Sequence, residues 1–157
     1  MKKSIALEYE DFADYNELPV LEQNLVEKAY SISNDAYAPY SNFKVGAAVL
    51  LENGEVVLGS NQENIAYPSG LCAERVALFY TGANFPTETI KLLVIVAKGD
   101  LLPFDKILSP CGSCRQVLVE SESRQTEPFQ VILVSQNRRT IRFSSAKDLL
   151  PFAFGTI

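Results

Sequence analysis

Residues 92–135 read LLVIVAKGDLLPFDKILSPCGSCRQVLVESESRQTEPFQVILVS, and the order of patterns inside that stretch decides the fold. Residues 92–97 form a nearly unbroken apolar run, which is how a strand buried on both faces reads. A loop over residues 98–110 leads into a helix expected from Cys111 to about Glu122, and residues 129–135 supply the next apolar strand. Strand, helix and strand in succession make a right-handed crossover between parallel neighbours. The cluster Pro110-Cys111-Gly112-Ser113-Cys114 then lies beyond a strand's carboxyl end, where sheets of this kind hold their ligands.

The flanking sequence builds outward from this crossover. Upstream, residues 43–51 are apolar and β-rich, Asn53-Gly54 signals a tight turn, and residues 55–59 return, which predicts a hairpin. Before it, Leu21, Leu25, Ala29, Ile32 and Ala36 recur at helical spacing until Tyr37, with Pro39 beyond. Residues 61–70 show no period and read as a loop. Residues 72–80 carry Ala73, Val76, Ala77 and Tyr80 on one helical face and stop at Gly82. Downstream, residues 136–139 are a polar turn into a strand at 140–143, and Ser145 with Asp148 resembles a capping box opening a short helix that Pro151 ends. Residues 1–19 are an acidic arm in which Ile5, Leu7 and Tyr9 alternate, expected as a short edge strand or a surface segment; residues 20–157 form a single domain. The expected class is α/β, a three-layer α/β/α arrangement with a five-stranded mixed sheet.

Composition narrows the function classes. A chain of 157 residues with 47% hydrophobic and 21% charged residues has one domain's length and enough apolar surface for one core. The net charge is -5, and the 14 lysines and arginines are scattered, so no basic stripe exists to neutralise phosphates and no nucleic-acid partner is expected. No apolar run approaches the roughly 18 residues of a membrane span. Glu8, Glu10 and Asp11 interrupt the apolar start that a signal peptide would need. A cytoplasmic location is expected, since a reducing compartment keeps an odd set of three cysteines as thiols.

Those cysteines carry the chemistry. Cys72 is followed by Ala73 and Glu74, and the other two, Cys111 and Cys114, form the downstream cluster. One thiolate from the first site and two from the second can hold a tetrahedral zinc and leave its fourth position for water, the pattern of a catalytic zinc. The chain has no histidine to close the site. Both clusters stand at expected helix starts, where the helix dipole favours thiolate. Three thiolates on zinc leave a formal charge of -1, which weakens its Lewis acidity, and Arg75 is the nearest cation able to draw charge off sulfur. Glu74 is placed to move protons for a zinc-activated water. Bland readings exist for each residue taken alone: a lone C-x-x-C is more often a redox pair or a structural half-site, Glu74 a solvated helix residue, Arg75 half of a surface ion pair, Phe43 core, and Asn61 and Glu63 turn residues.

Over residues 37–154 the chain resembles the small, tetrameric cytidine deaminases. The likeness is carried by YAPYSNFKVGAAVL, NQENIAYPSGLCAERVAL, SPCGSCRQV and LLPFAF, in that order. The resemblance implies that Cys72, Cys111 and Cys114 bind zinc and that Glu74 is the proton shuttle, with Arg75 hydrogen-bonding the ligand sulfurs. It implies further that Phe43 lies beside the pyrimidine, that Asn61 and Glu63 hold the ribose 3'-hydroxyl, and that the Ala73 backbone contacts the base. Phe154 corresponds to a phenylalanine that enters a neighbouring subunit's pocket. The implied activity is hydrolysis of cytidine and 2'-deoxycytidine to the uridine forms and ammonia, in pyrimidine salvage, by a homotetramer with shared active sites acting on a small nucleoside. Gln62 departs from the pattern, standing where an apolar residue is usual, and the acidic arm is longer than the family's usual start.

Overall fold

The computed structural model describes residues 1–155. A mixed sheet lies between one helix and a pair of helices. The elements are β1 (Glu10–Phe12), α1 (Val20–Ser33), β2 (Lys44–Leu51), β3 (Val56–Ser60), α2 (Ala73–Asn84), β4 (Ile90–Lys98), α3 (Gly112–Ser123), β5 (Gln130–Val134) and β6 (Thr140–Phe143), with short 3-10 turns at Tyr15–Glu17, Tyr67–Ser69 and Ala146–Leu149. Strand order is β1-β6-β5-β4-β2-β3.

The crossover forms as the sequence predicts: β4 and β5 are parallel, with Leu92 opposite Gln130 and Val96 opposite Val134, and α3 connects them. The hairpin forms as well. Gly54 sits at φ +88, a conformation glycine adopts without a Cβ clash, and the Asn53 side chain accepts from the Glu55 amide at 2.9 Å.

Period-two alternation distributes the strands between two cores. Ala47, Val49, Leu51, Leu93, Ile95, Val131 and Leu133 face α2 and α3, where they meet Ala73, Ala77, Leu78, Cys114 and Leu118. Ala48, Leu50, Leu92, Val94, Val96, Ile132 and Val134 face α1, meeting Leu25, Val26 and Ala29. The stripe on α1 is shifted from the predicted one: Leu21 is 59% exposed while Val26 is fully buried, and the helix ends at Ser33 before the Asn34-Asp35 turn. On α2 the inward positions are Ala73, Glu74, Ala77, Leu78 and Thr81, with Tyr80 exposed.

The sheet has six strands where five were expected. The sixth is β1, paired antiparallel with β6 through Glu10–Arg142, Asp11–Ile141 and Phe12–Thr140. Ile5, Leu7 and Tyr9, whose alternation drew attention to the arm, precede this strand and are exposed. Charge holds β1 in place. Arg139 pairs with Asp11 at 2.5 Å, and Arg142 bridges Glu10 at 2.5 Å and Glu22 of α1 at 2.9 Å. Arg138 grips Asp14 with two nitrogens, at 2.6 and 2.9 Å, and lies 4.2 Å above the Tyr15 ring. The acidic arm is thus a counter-charge to three arginines around β6, and it seals Tyr15 and Leu18 over the α1-side core.

The capping box expected near residue 145 forms in part. Ser145 Oγ accepts from the Lys147 amide at 3.2 Å, but the Asp148 carboxylate takes a bond from Ser144 Oγ instead of reaching back to Ser145. Gln62 stands exposed, its backbone pairing with Leu71 in both directions at 2.8 and 2.9 Å, so a polar side chain there disturbs no packing.

Candidate metal centre and active site

Cys72 and Cys111 each occupy the N-cap of a helix, with extended backbone at φ -70, ψ 155 and φ -66, ψ 165. Cys72 O accepts from the Arg75 and Val76 amides, and Cys111 O from the Arg115 amide. Cys114 follows one turn into α3. The positive ends of two helices therefore converge on one group of sulfurs, which favours their anionic form.

Two features of packing bring these helix ends together. At Gly59, a Cβ would lie 2.6 Å from Ala73 O and 2.7 Å from Ala77 N, so the absence of a side chain on β3 lets the first turn of α2 rest on the strand. At the other helix, Arg115 reaches back to Pro110 O at 3.0 Å and Ser109 Oγ at 2.6 Å, and across to Leu149 O at 3.0 Å. Ser135 Oγ accepts from the Leu108 amide at 3.0 Å, fixing the incoming loop from its other side.

The ligand atoms of Cys72, Cys111 and Cys114 all lie within 4.8 Å of one another. Cys72 Sγ and Cys111 Sγ are 3.9 Å apart; tetrahedral zinc with Zn–S bonds of about 2.3 Å requires sulfurs about 3.8 Å apart. The donor set thus fits zinc in chemistry and in spacing. The grouping favours a metal site over a redox pair, because Cys72, distant in sequence, joins the C-x-x-C pair within metal-ligand reach.

Charge around the sulfurs is ordered. The Cys72 thiol is held down to about 5, first by its hydrogen bond with Cys114 and then by Arg75 and Cys111. The same Cys114 hydrogen bond pushes the Cys114 thiol up, with burial adding to it. Zinc takes cysteine as thiolate, so a metal ion bound here would displace the remaining thiol protons. Against the opposing effect of burial, Cys72 and Cys114 raise the Arg75 guanidinium above its usual range, and its Nε is buried without a hydrogen-bond partner among the described residues. Glu74 is 4% exposed. Burial pushes its carboxyl up to about 7, with the Cys72 charge adding to the rise, and its Oε2 is buried without a hydrogen-bond partner among the described residues. A buried carboxyl oxygen with no partner, beside a thiolate cluster, is a functional-site signature.

Three of the predicted substrate residues, Phe43, Asn61 and Glu63, are linked to one another through hydrogen bonds. Phe43 is buried and packs in the same core as Ala73 and Cys114. Asn61 braces the entry to β2, just after Phe43: its Nδ2 donates to Phe43 O at 2.9 Å and its Oδ1 accepts from the Val45 amide at 2.7 Å. Glu63 accepts from the Tyr40 amide at 2.8 Å, the Ser41 amide at 3.3 Å and Ser41 Oγ. Those bonds hold its carboxyl below the usual range. Among the described residues one Asn61 amide hydrogen has no hydrogen-bond partner. Ala73, fully buried, is the first residue of α2, so its amide has no partner inside the helix. Phe154 stands apart from this group, 90% exposed.

Sequence reasoning missed Ser41, which orients Glu63 and accepts from the Phe43 amide at 3.1 Å, and it gave no role to Arg115 and Gln116. The latter two lie inside SPCGSCRQV, so the signal was present, but only a folded chain shows which loops they reach.

A three-sulfur metal site beside a buried carboxyl on an α/β/α sandwich is thus defined by geometry, and comparison with known proteins gives its class. The family model for the cytidine and deoxycytidylate deaminase zinc-binding region matches residues 20–127. A cytidine deaminase of Sporosarcina psychrophila is 40% identical over 132 residues, 84% of this chain and 90% of the relative. One from Mycobacterium tuberculosis is 37% identical over 142 residues, 88% and 93% of the two chains. The crystal structure of cytidine deaminase from Burkholderia pseudomallei superposes with a TM-score of 0.70 at 38% identity, covering 84% of this chain and 98% of that one. The chain belongs to the cytidine deaminase family, and zinc is the metal its three sulfurs are built to hold.

Proposed function

We propose that the chain catalyses hydrolytic deamination of cytidine and 2'-deoxycytidine, giving uridine or 2'-deoxyuridine and ammonia. The observation that carries this reading is the convergence of three sulfurs from two helix ends beside one buried carboxyl with an unpaired oxygen. Cys72, Cys111 and Cys114 hold the zinc, which when bound supplies a Lewis acid that makes water nucleophilic near neutral pH. Glu74 takes a proton from the attacking water at Oε2 and delivers it to ring nitrogen 3 as the carbon-oxygen bond forms at carbon 4. It then carries the second proton of that water to the amine as the carbon-nitrogen bond breaks. A carboxyl near 7 accepts and releases protons with similar ease, which suits both transfers.

The remaining chain binds and orients. Phe43 packs beside the pyrimidine, the Ala73 backbone meets the base, and Asn61 with Glu63 holds the ribose 3'-hydroxyl, which favours nucleosides over free bases. Arg75 draws charge from the sulfurs. Phe154 projects from the surface and completes the site of another copy, so the working species is an oligomer, a homotetramer if it follows the family it resembles. Exposed aromatics supply apolar surface for such contacts, with Tyr37, Tyr40, Tyr67, Phe79 and Tyr80 each at least half exposed. A free nucleoside pool and thiol ligands both belong to the cytoplasm, where the reaction serves pyrimidine salvage. Among the described residues no helix is long and apolar enough to cross a membrane.

The test is to incubate the zinc-loaded protein with cytidine and follow the ultraviolet change to uridine. Metal-dependent conversion is expected; a zinc-loaded, folded protein that leaves both nucleosides intact refutes the reading.

A further inference from the structure

The side chain of Gln116, two residues beyond Cys114 on α3, takes hold of both main-chain polar groups of Phe154. Its Nε2 donates to Phe154 O at 2.7 Å, and Phe154 N donates to its Oε1 at 2.9 Å. Reversing the amide would set donor against donor and acceptor against acceptor, so the paired bonds fix one orientation. A main chain gripped on both sides has a fixed position and a fixed Cα–Cβ direction, yet the ring it carries is 90% exposed and contributes no packing to its own subunit.

The rest of the C-terminal segment is tied to the same helix. Glu122 accepts from Ser145 Oγ at 2.6 Å and from the Ala146 amide at 2.8 Å, and Arg115 donates to Leu149 O. From residue 145 to residue 154 the chain thus returns along α3 toward the end that bears Cys111 and Cys114. The ring's position is indexed to the metal-bearing helix of its own subunit.

We propose that Gln116 is a positioning residue: it presents the Phe154 ring of one copy to the nucleoside pocket of another, and so sets substrate affinity there. This rests on the reading above that Phe154 is shared between copies. Releasing the clamp lets the segment sample other positions, and apparent affinity falls in proportion to the fraction still correctly placed. For two neutral hydrogen bonds at an exposed position, KM is expected to rise about 3- to 10-fold with kcat retained within about twofold.

The experiment is steady-state kinetics on cytidine, with zinc content and oligomeric mass measured in parallel, for Gln116→Met, Gln116→Glu, Phe154→Ala and the Gln116→Met/Phe154→Ala double variant. Methionine keeps the length and loses both bonds. Glutamate keeps the acceptor for the Phe154 amide but sets a carboxylate oxygen against Phe154 O. It therefore breaks the paired clamp and should also raise KM, and it serves as the readout if the methionine variant folds poorly. The expected result is that Gln116→Met raises KM in the otherwise unaltered protein and adds nothing on top of Phe154→Ala, with zinc content unchanged. A KM increase of the same size in both backgrounds, or loss of zinc, would overturn the inference, since Gln116 would then act on the metal site directly. If Phe154→Ala leaves KM unaltered, the shared-ring reading fails first and this inference falls with it.

Discussion

Gly59→Ala probes the link between the scaffold and the chemistry. The added Cβ would sit 2.6 Å from Ala73 O and 2.7 Å from Ala77 N, so α2 has to retreat from β3 by about 0.8 Å to regain ordinary contact. Overpacking of this kind costs about 1–3 kcal/mol. For a domain of this size that lowers Tm by about 2–12 °C. The movement falls on the first turn of α2, which carries Cys72 and Glu74. Displacements near 1 Å cost up to about 100-fold in rate, so kcat per zinc-loaded chain should fall about 10- to 100-fold. The control is Leu25→Ala, on the opposite face of the sheet, where a buried leucine costs about 2–5 kcal/mol without touching α2. Thermal unfolding, zinc content and turnover are measured on both variants below their melting temperatures. Gly59→Ala should lose activity out of proportion to its stability, and Leu25→Ala should not. Equal kcat in the two variants, or a Gly59→Ala protein with unaltered Tm and kcat, would refute the argument that this contact sets the site.

The arm gives two more predictions. Arg142→Met removes the partner of Glu22, whose side chain is only 13% exposed, and should destabilise the fold by about 1–3 kcal/mol in a thermal melt while leaving kcat on cytidine unchanged. Arg138, Arg139 and Arg142 hold the carboxyls of Asp14, Asp11 and Glu10 below their ordinary values. A carboxylate with a depressed folded-state pKa adds stability above its unfolded pKa, and that stability is lost as pH falls through the folded value. Tm should therefore decline as pH drops below about 4, less steeply in 1 M salt than in dilute buffer because these pairs are exposed and screened. A decline of equal slope at both salt concentrations would contradict the charge-clamp account of β1.

The crossover was legible because both of its strands are apolar on both faces, and that pattern fixes parallel neighbours and a site at their carboxyl ends. The grouping of Cys72, Cys111 and Cys114 was legible because so few residue types can hold zinc. The sixth strand was legible only as one of two options for residues 1–19, a short edge strand or a surface segment. What fixes it is three carboxylates at residues 10, 11 and 14 whose partners lie at 138, 139 and 142. Sequence periodicity is blind to ion pairs between distant segments, and the alternation of Ile5, Leu7 and Tyr9 pointed to the wrong part of the arm. Similarly, Asn61 reads as a loop residue, yet its side chain bonds the backbone of Phe43 and Val45 at the start of β2, a bracing role that only the folded neighbourhood reveals.

The central claim is that a carboxyl beside three metal-binding sulfurs moves the protons of the reaction. It is tested most directly by measuring zinc content and cytidine turnover of Glu74→Gln against the unaltered chain. The account predicts one zinc per chain in both proteins and a rate lower by about 10²- to 10⁴-fold in the variant. Full turnover by a zinc-loaded Glu74→Gln protein, or failure of the unaltered chain to bind zinc at all, would contradict it.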